Sequence, residues 1–540
     1  MAIFGRRSTG SSSSPRDPVV RFASSLSSEE AEADTHFMLD EGARFEIDER
    51  ASLDPRWREL THSTERERSL MMIADESLCT CALLAPREPT LWLRCMRGLP
   101  KISQDGLDVE LSLLLEGGIV RSVAKFSIYN SSPRVGLHEL TMALPVLPGE
   151  VFRLVVRCGA GPLGQPEADW LALCGLVVCA SEEVSQWRAR SQYGWRLQNE
   201  IAHFTSVYRN SFYEDRQALR GGAVIEPMRA LPEPDRHGIA GQNEALAEIF
   251  RARVADLVPW RGENAFSFTH RALTAMLNQK APDFAARLSV AGARAQGRPI
   301  RLLALCAGEA AIEAGLIEQA GVPVEVCIVD VNESMLERAG RNMPANTRVD
   351  CVLGNANSIG LQLGKFDVVV ITSGLHHLVE LEQVLSAIAG VLGPDGEFWL
   401  IGEQVGRNGN RLWPEGRAEA ERIFSQWPAE KRRNANTGEI DFELPDRDFS
   451  SGCFEGIRSQ EILELLARHF LPADVYLHDA FLWRLVDVAY AGNFDAALPQ
   501  DRELLLQAAL TEAVHWTLGG RGTSLHAVYR SKQSEVIHSA

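Results

Sequence analysis

The stretch IRLLALCAGEAAIEAGLIEQAG at residues 300–321 decides how the second half of this chain is read. IRLLALC is short, continuous and apolar, the pattern of a strand buried on both faces. Small residues follow, with Gly308 at the centre, and then a helical pattern that stops at Gly321. A strand, a turn of small side chains and a helix N-terminus let a ligand approach exposed backbone N–H groups, so the corner reads as nucleotide-binding. Next comes VEVCIVD at 324–330, a second strand ending in Asp330, twenty-two residues after Gly308. An acidic residue there can accept both hydroxyls of a ribose. RVDCVLGNANSI at 348–359 and FDVVVITSGLHHLVE at 366–380 repeat the pattern, and LEQVLSAIAGVLGPDGEFWLIGE at 381–403 reads as helix, turn and strand. Apolar runs alternating with helices define a parallel α/β sheet.

The chain of 540 residues is too long for one core, and at about 150 residues per domain it holds several. Residues 1–35 combine a Gly/Ser tract, prolines and the acidic run SSEEAEAD, which together predict a disordered tail. From 36 to 185, short runs of period-two character such as LDVELSLL at 107–114 and VFRLVVR at 151–157 alternate with turn residues and predict an all-β, sandwich-like domain. Residues 186–295 read as a helical connector, clearest at 244–258 and 270–290, with a long loop at 220–238. The α/β domain is expected over 296–535.

Fifty-five Lys and Arg against seventy-two Asp and Glu leave a net charge of -17, which repels a phosphate backbone and argues against a nucleic-acid partner. None of the ten cysteines stands at Cys-x-x-Cys spacing, so no zinc or redox motif is read and no metal is assigned. The thiols are expected reduced and buried in a reducing cytoplasm. No apolar run approaches the length of a membrane span and no targeting signal is read, which gives a cytoplasmic expectation.

In the order and spacing of five consecutive elements, residues 300–403 resemble the class I S-adenosylmethionine-dependent methyltransferases. The resemblance implies a Rossmann-like seven-stranded domain with S-adenosyl-L-methionine as cofactor. The family's first loop has an acidic-x-Gly-x-Gly-x-Gly pattern, and here Ala304, Cys306, Gly308 and Ala310 stand at those four positions, so only the central glycine is kept. Cofactor contacts are implied for Cys306, Ala307, Gly308, Asp330, Val331, Asn355, Ala356, Ser373 and Gly374, with Asp330 on the ribose and Asn355 and Ala356 on the adenine. His376 and His377 lie where a general base for a hydroxyl could stand, and His376 is marginally preferred.

The stretch after 366 lacks the Asn/Asp-Pro-Pro-aromatic motif of methyltransferases that act on planar amino groups, which leaves oxygen, carbon or aliphatic nitrogen acceptors, and a small or glycan-like molecule methylated at oxygen is expected. A lid insertion is expected at about 406–456. Trp413, Trp427, Arg411 and Arg458 are candidates for acceptor contacts, and Trp92 and Trp170 for stacking on a sugar ring. The last two strands are read as an antiparallel hairpin closing the sheet, with His526 packed. Homodimerisation through the β-domain is a further expectation. Two other readings stand beside this one. The first is a non-catalytic scaffold that kept the fold, motivated by the degenerate first loop. The second is an NAD(P)-dependent oxidoreductase, whose Gly-x-Gly-x-x-Gly fingerprint would need glycines in place of Cys306 and Ala311.

Overall fold

The computed structural model of the protein describes residues 33–40, 43–47, 56–62, 65–98, 106–128, 138–161, 170–207, 239–358 and 364–532. The tail expected at 1–35 falls almost wholly outside these residues, as does the loop expected at 220–238. The chain divides into two compact units, Met1–Trp195 and Arg196–Ala540.

The first unit is built on two antiparallel six-stranded sheets. One runs in the order His138–Ala143, Pro89–Arg97, Trp170–Ala180, Glu65–Ile73, Trp57–His62, with Phe37–Met38 also paired to Trp170–Ala180. The other runs Phe45–Ile47, Ser77–Thr80, Val151–Ala160, Leu107–Leu115, Val120–Ile128, with Leu83–Leu84 on Val151–Ala160. Leu91, Leu93, Leu171 and Leu173 of the first sheet share a single core with Val109, Leu111, Leu113, Leu154 and Val156 of the second. Alternate residues of each strand supply that core, which is why the period-two pattern was readable in the sequence.

The second unit carries a seven-stranded sheet: β1 (Ile300–Leu305), β2 (Val324–Asp330), β3 (Arg348–Leu353), β4 (Phe366–Thr372), β5 (Leu392–Gln404), β6 (Phe470–His478) and β7 (Ser524–Ser531). Their order is β3-β2-β1-β4-β5-β7-β6, with β1 to β5 parallel and β7 antiparallel to both of its neighbours. Strand order reverses between β1 and β4, and a crevice outside the carboxyl ends of the strands opens at such a point. The Gly393–Gly396 turn read from the sequence is absorbed into β5, whose register on β4 is irregular between Phe366 and Val368.

The longer helices are α1 (Tyr193–Val207), α2 (Ile239–Arg253), α3 (Ala265–Leu277), α4 (Phe284–Arg294), α5 (Ala311–Ala320), α6 (Glu333–Asn342), α7 (Leu381–Val391), α8 (Pro414–Gln426), α9 (Ile462–His469) and α10 (Pro499–Thr517). The continuous helical reading of 270–290 breaks in two. Asn278 closes α3 in the left-handed conformation, and the Asp283 side chain caps α4 by accepting from Ala286 N. The sheet is covered on both faces: α7 and α9 bury Leu385, Ile388 and Leu466 against Val369, Ile371 and Leu400. On the other face α4, α5 and α6 bury Leu288, Ile317 and Leu336 against Leu302, Val326 and Val368.

The segment expected as a helical connector is not a separate layer. Phe250 of α2 and Phe268 and Leu273 of α3 share one core with Phe424 of α8, Leu505 of α10, and Phe481 and Leu482 just after β6. The apolar stripes of α2 and α3 find their partner in the insertions that follow β5 and β6, so helices from before and after the parallel strands make one cap.

Candidate active site

The first loop keeps a glycine-type path with only one of the glycines. Cys306 has φ 52°, Gly308 55° and Ala310 49°. Left-handed backbone at a non-glycine residue is uncommon and costs free energy, and it persists only where the surroundings hold it. Gly308 N donates to Asp330 Oδ2 at 2.9 Å, and Asn332 N donates to Asp330 Oδ1 at 2.9 Å. The strand-end acid of β2 is thereby tied to the loop that leaves β1. Burial raises the Asp330 pKa, opposed by these backbone donors.

The loop after β4 packs directly on this corner. A Cβ on Gly374 would lie 2.7 Å from Cys306 Cβ and 3.2 Å from Ile371 Cγ2, so only glycine fits there. Ser373, at φ 47°, donates through Oγ to Gly402 O at 2.8 Å. Asn355 Oδ1 accepts from Asn357 N at 3.0 Å, and Ala356 is buried beside it. Asn357 Oδ1 in turn accepts from Val379 N and Glu380 N, joining the loops after β3 and β4. Val331 is half-buried and Ala307 likewise. The residues read as cofactor contacts therefore stand together at the carboxyl ends of β1, β2, β3 and β4.

His376 and His377 sit in a cluster that the sequence did not disclose. Glu403, at the end of β5 and fully buried, accepts from the backbone N–H groups of Gly374, Leu375 and His376 and contacts His376 Nδ1 at 2.5 Å. Glu455 faces both rings, with Oε1 3.4 Å from His376 Nε2 and Oε2 3.3 Å from His377 Nε2. Glu200 of α1 is paired with His377 Nδ1, and its other oxygen accepts from Phe454 N at 2.9 Å. Phe204 of α1 meets the His377 ring edge-on at 5.4 Å between centroids. Thr205 Oγ1, one residue on, accepts from Asn332 Nδ2 at 2.9 Å.

The electrostatics follow from the pairing. Burial opposes charge on His376, but the Glu403 and Glu455 carboxylates together outweigh it and hold the pKa at about 10. Burial likewise opposes charge on His377, as does the neighbouring His376, and Glu200 and Glu455 together outweigh them, so that pKa is also raised. For Glu455 burial is overcome by His377 and His376, which hold the carboxyl at about 2. The cluster is a bound network of opposite charges. His376, preferred by a margin in the sequence, is the more deeply buried ring, with 3% of its side chain exposed against 13% for His377.

The lid candidates are engaged elsewhere. Arg458 is buried and bound to Glu382, Glu461 and Val379 O. Trp427 is buried in the cap core, and Trp413 donates to Gly522 O beneath the Arg521 guanidinium. Arg411 donates to Asn408 O. Trp92 of the first unit is 2% exposed and donates to Glu139 Oε1, so its ring is closed to a sugar, while Trp170 lies under Arg58. His526 is packed as expected, stacked on His478 at 4.9 Å and accepting from Gly402 N, and burial lowers its pKa to about 3.

Glu200, Glu403 and Glu455 are the site residues that sequence reading missed. Only Glu403 leaves a signal, an acid directly after the apolar run FWLIG.

A model of a methyltransferase domain family matches residues 304–400. That segment is a class I S-adenosylmethionine-dependent methyltransferase domain, by the family match and by its five consecutive elements. Over 108 residues the chain is 34% identical to a ubiquinone/menaquinone biosynthesis C-methyltransferase of Methylobacterium nodulans, covering 19% of this chain and 42% of that one. Over 104 residues it is 33% identical to a demethylmenaquinone methyltransferase of Lactococcus lactis, covering 19% and 41%. The chain thus spans less than half the length of these curated relatives. Among solved structures, the plantazolicin methyltransferase BpumL aligns over 54% of this chain and 97% of its own at 11% identity, with a TM-score of 0.26. Among the described residues, no helix is long and apolar enough to cross a membrane.

Proposed function

We propose that this protein binds S-adenosyl-L-methionine in the crevice between β1 and β4 and transfers its methyl group to the hydroxyl oxygen of a small-molecule acceptor. The observation that carries the reading is the convergence of the Gly308–Asp330 corner with the imidazole and carboxylate cluster of the β4 and β5 loops. The donor set suits the cofactor. Each Asp330 oxygen accepts a backbone N–H and keeps a lone pair for a ribose hydroxyl. Asn355 and Ala356 offer a carboxamide oxygen and a backbone N–H to the adenine. Asp330, Glu403 and Glu200 surround Cys306 with negative charge, the environment that favours a positively charged sulfonium.

The cofactor supplies a methyl group on a sulfur that is already a good leaving group. The chain's own task is to align the acceptor, exclude water and manage the hydroxyl proton. His376, His377 and Glu455 act in this as one unit, because the two imidazoles share the Glu455 carboxylate, and with both ring pKa values raised a ring accepts the hydroxyl proton only after it has lost its own. Removing the proton from a ring hydroxyl also makes the adjoining ring carbon nucleophilic. Methylation at carbon, the activity named for the quinone-pathway relatives, is the second reading and uses the same cluster.

Calorimetric titration with S-adenosylmethionine and with its demethylated product tests the reading. Binding is expected, weakened about 100-fold in Asp330→Ala, which loses two hydrogen bonds to a charged acceptor. Absence of binding at millimolar cofactor would sink it and leave the scaffold reading in its place.

A further inference from the structure

We infer that His376, His377 and Glu455 form a binding site for a divalent transition-metal ion. Each of the three offers one ligand atom, all within 4.8 Å of one another, and it is Nε2 of each ring that faces the Glu455 carboxylate. The two ring nitrogens lie 3.4 Å and 3.3 Å from the Glu455 oxygens. Two ligands each about 2.1 Å from a metal and at a tetrahedral angle are about 3.4 Å apart, so each of these nitrogen–oxygen distances, one to Oε1 and one to Oε2, is a spacing that two ligands of one metal can have. Two histidines and one carboxylate leave a fourth position open.

A second, independent observation is the outer layer. A metal-bound histidine almost always has its remaining ring nitrogen held by a carboxylate or carbonyl, which fixes tautomer and orientation. Here both do: Glu403 lies 2.5 Å from His376 Nδ1, and Glu200 is paired with His377 Nδ1. Both Nε2 atoms are therefore turned towards Glu455. Asn410 Nδ2 donates to Glu455 Oε1, the oxygen that also faces His376 Nε2, and holds the carboxylate in place. Charge agrees as well. Three carboxylates meet two imidazoles, and one dication on neutral rings supplies the same charge as two ring protons.

The role of the ion rests on the methyl-transfer reading. At the open position it would take the acceptor's hydroxyl oxygen, lower its pKa and point it at the methyl donor, in place of a free imidazole base. Imidazole and carboxylate together favour Zn2+, Co2+ or Mn2+ over Mg2+.

The full chain, freed of metal by a chelator, would be titrated with Co2+ and Mn2+ and followed by calorimetry and by the visible spectrum of the cobalt form. About one equivalent is expected, with d–d bands and no thiolate charge-transfer band, which separates this site from the ten cysteines. Glu455→Gln and His377→Ala should abolish binding of both ions, and Glu200→Gln should weaken it about 10–100-fold. No binding at millimolar Co2+ or Mn2+, a thiolate spectrum, or affinity unchanged in Glu455→Gln would overturn the inference. Far-ultraviolet circular dichroism checks that each variant is folded. S-adenosylmethionine titration of the same samples reads the cofactor site separately, so loss of one reading is distinguishable from loss of the other.

Discussion

Ala310 occupies the N-cap of α5 with φ 49° and no side-chain cap. A Cβ in left-handed backbone crowds the following carbonyl at a cost of about 1–2 kcal/mol, partly offset by the entropy an alanine withholds from the unfolded chain. Ala310→Gly is therefore expected to stabilise the second unit by about 0.5–1 kcal/mol and to raise its melting temperature by a few degrees, measured by thermal denaturation. Cys306 shares the conformation, but its thiol lies among Asp330, Glu403 and Glu200, and burial with these charges keeps it protonated. The residues where the sequence departs from the family's glycine pattern thus keep its backbone path. What changes is the cost of holding it.

At the scale of elements, the strands of the sheet were legible because parallel strands buried on both faces are written as continuous apolar runs. Asp330 was legible for a related reason, since a lone acid at the end of such a run has few roles open to it. The cap was not. Apolar stripes on α2 and α3 announce burial without naming a partner, and α8 and α10, which share their core, lie far along the chain. Glu200 and Glu455 were silent because a buried carboxylate and a solvated one look the same in sequence; only the fold brings each to a histidine.

The Glu455 loop itself depends on Gly456. It has φ 71°, and a Cβ there would collide with Asn410 N and lie 2.5 Å from Asn410 Oδ1. Gly456 O also accepts from Gly409 N at 2.7 Å, and Ile457 N donates to His376 O at 3.1 Å. Gly456→Ala is expected to displace the loop, with a stability loss of about 2 kcal/mol or more, while S-adenosylmethionine affinity changes little. Calorimetric titration alongside thermal denaturation checks both halves of that expectation.

Across the whole molecule, each unit has its own core, and a core that closes on itself melts as a cooperative unit. Scanning calorimetry should resolve two transitions. A ligand that binds one native unit stabilises that unit alone, by about 2.7 kcal/mol at a hundredfold excess over its Kd. S-adenosylmethionine should therefore move one transition upwards and leave the other in place, and a shift of both by the same amount would contradict the division.

The hydrogen bond from Phe454 N to Glu200 joins residues 254 positions apart. Its consequence is one of timing. Contacts so distant in the chain are formed after loop-closure entropy has been met by nearer ones, and a nascent chain presents α1 long before the loop that carries Glu455 has been made. The imidazole cluster is therefore among the last features to assemble during synthesis, and a chain truncated before residue 455 would be left with two histidines and no shared carboxylate between them.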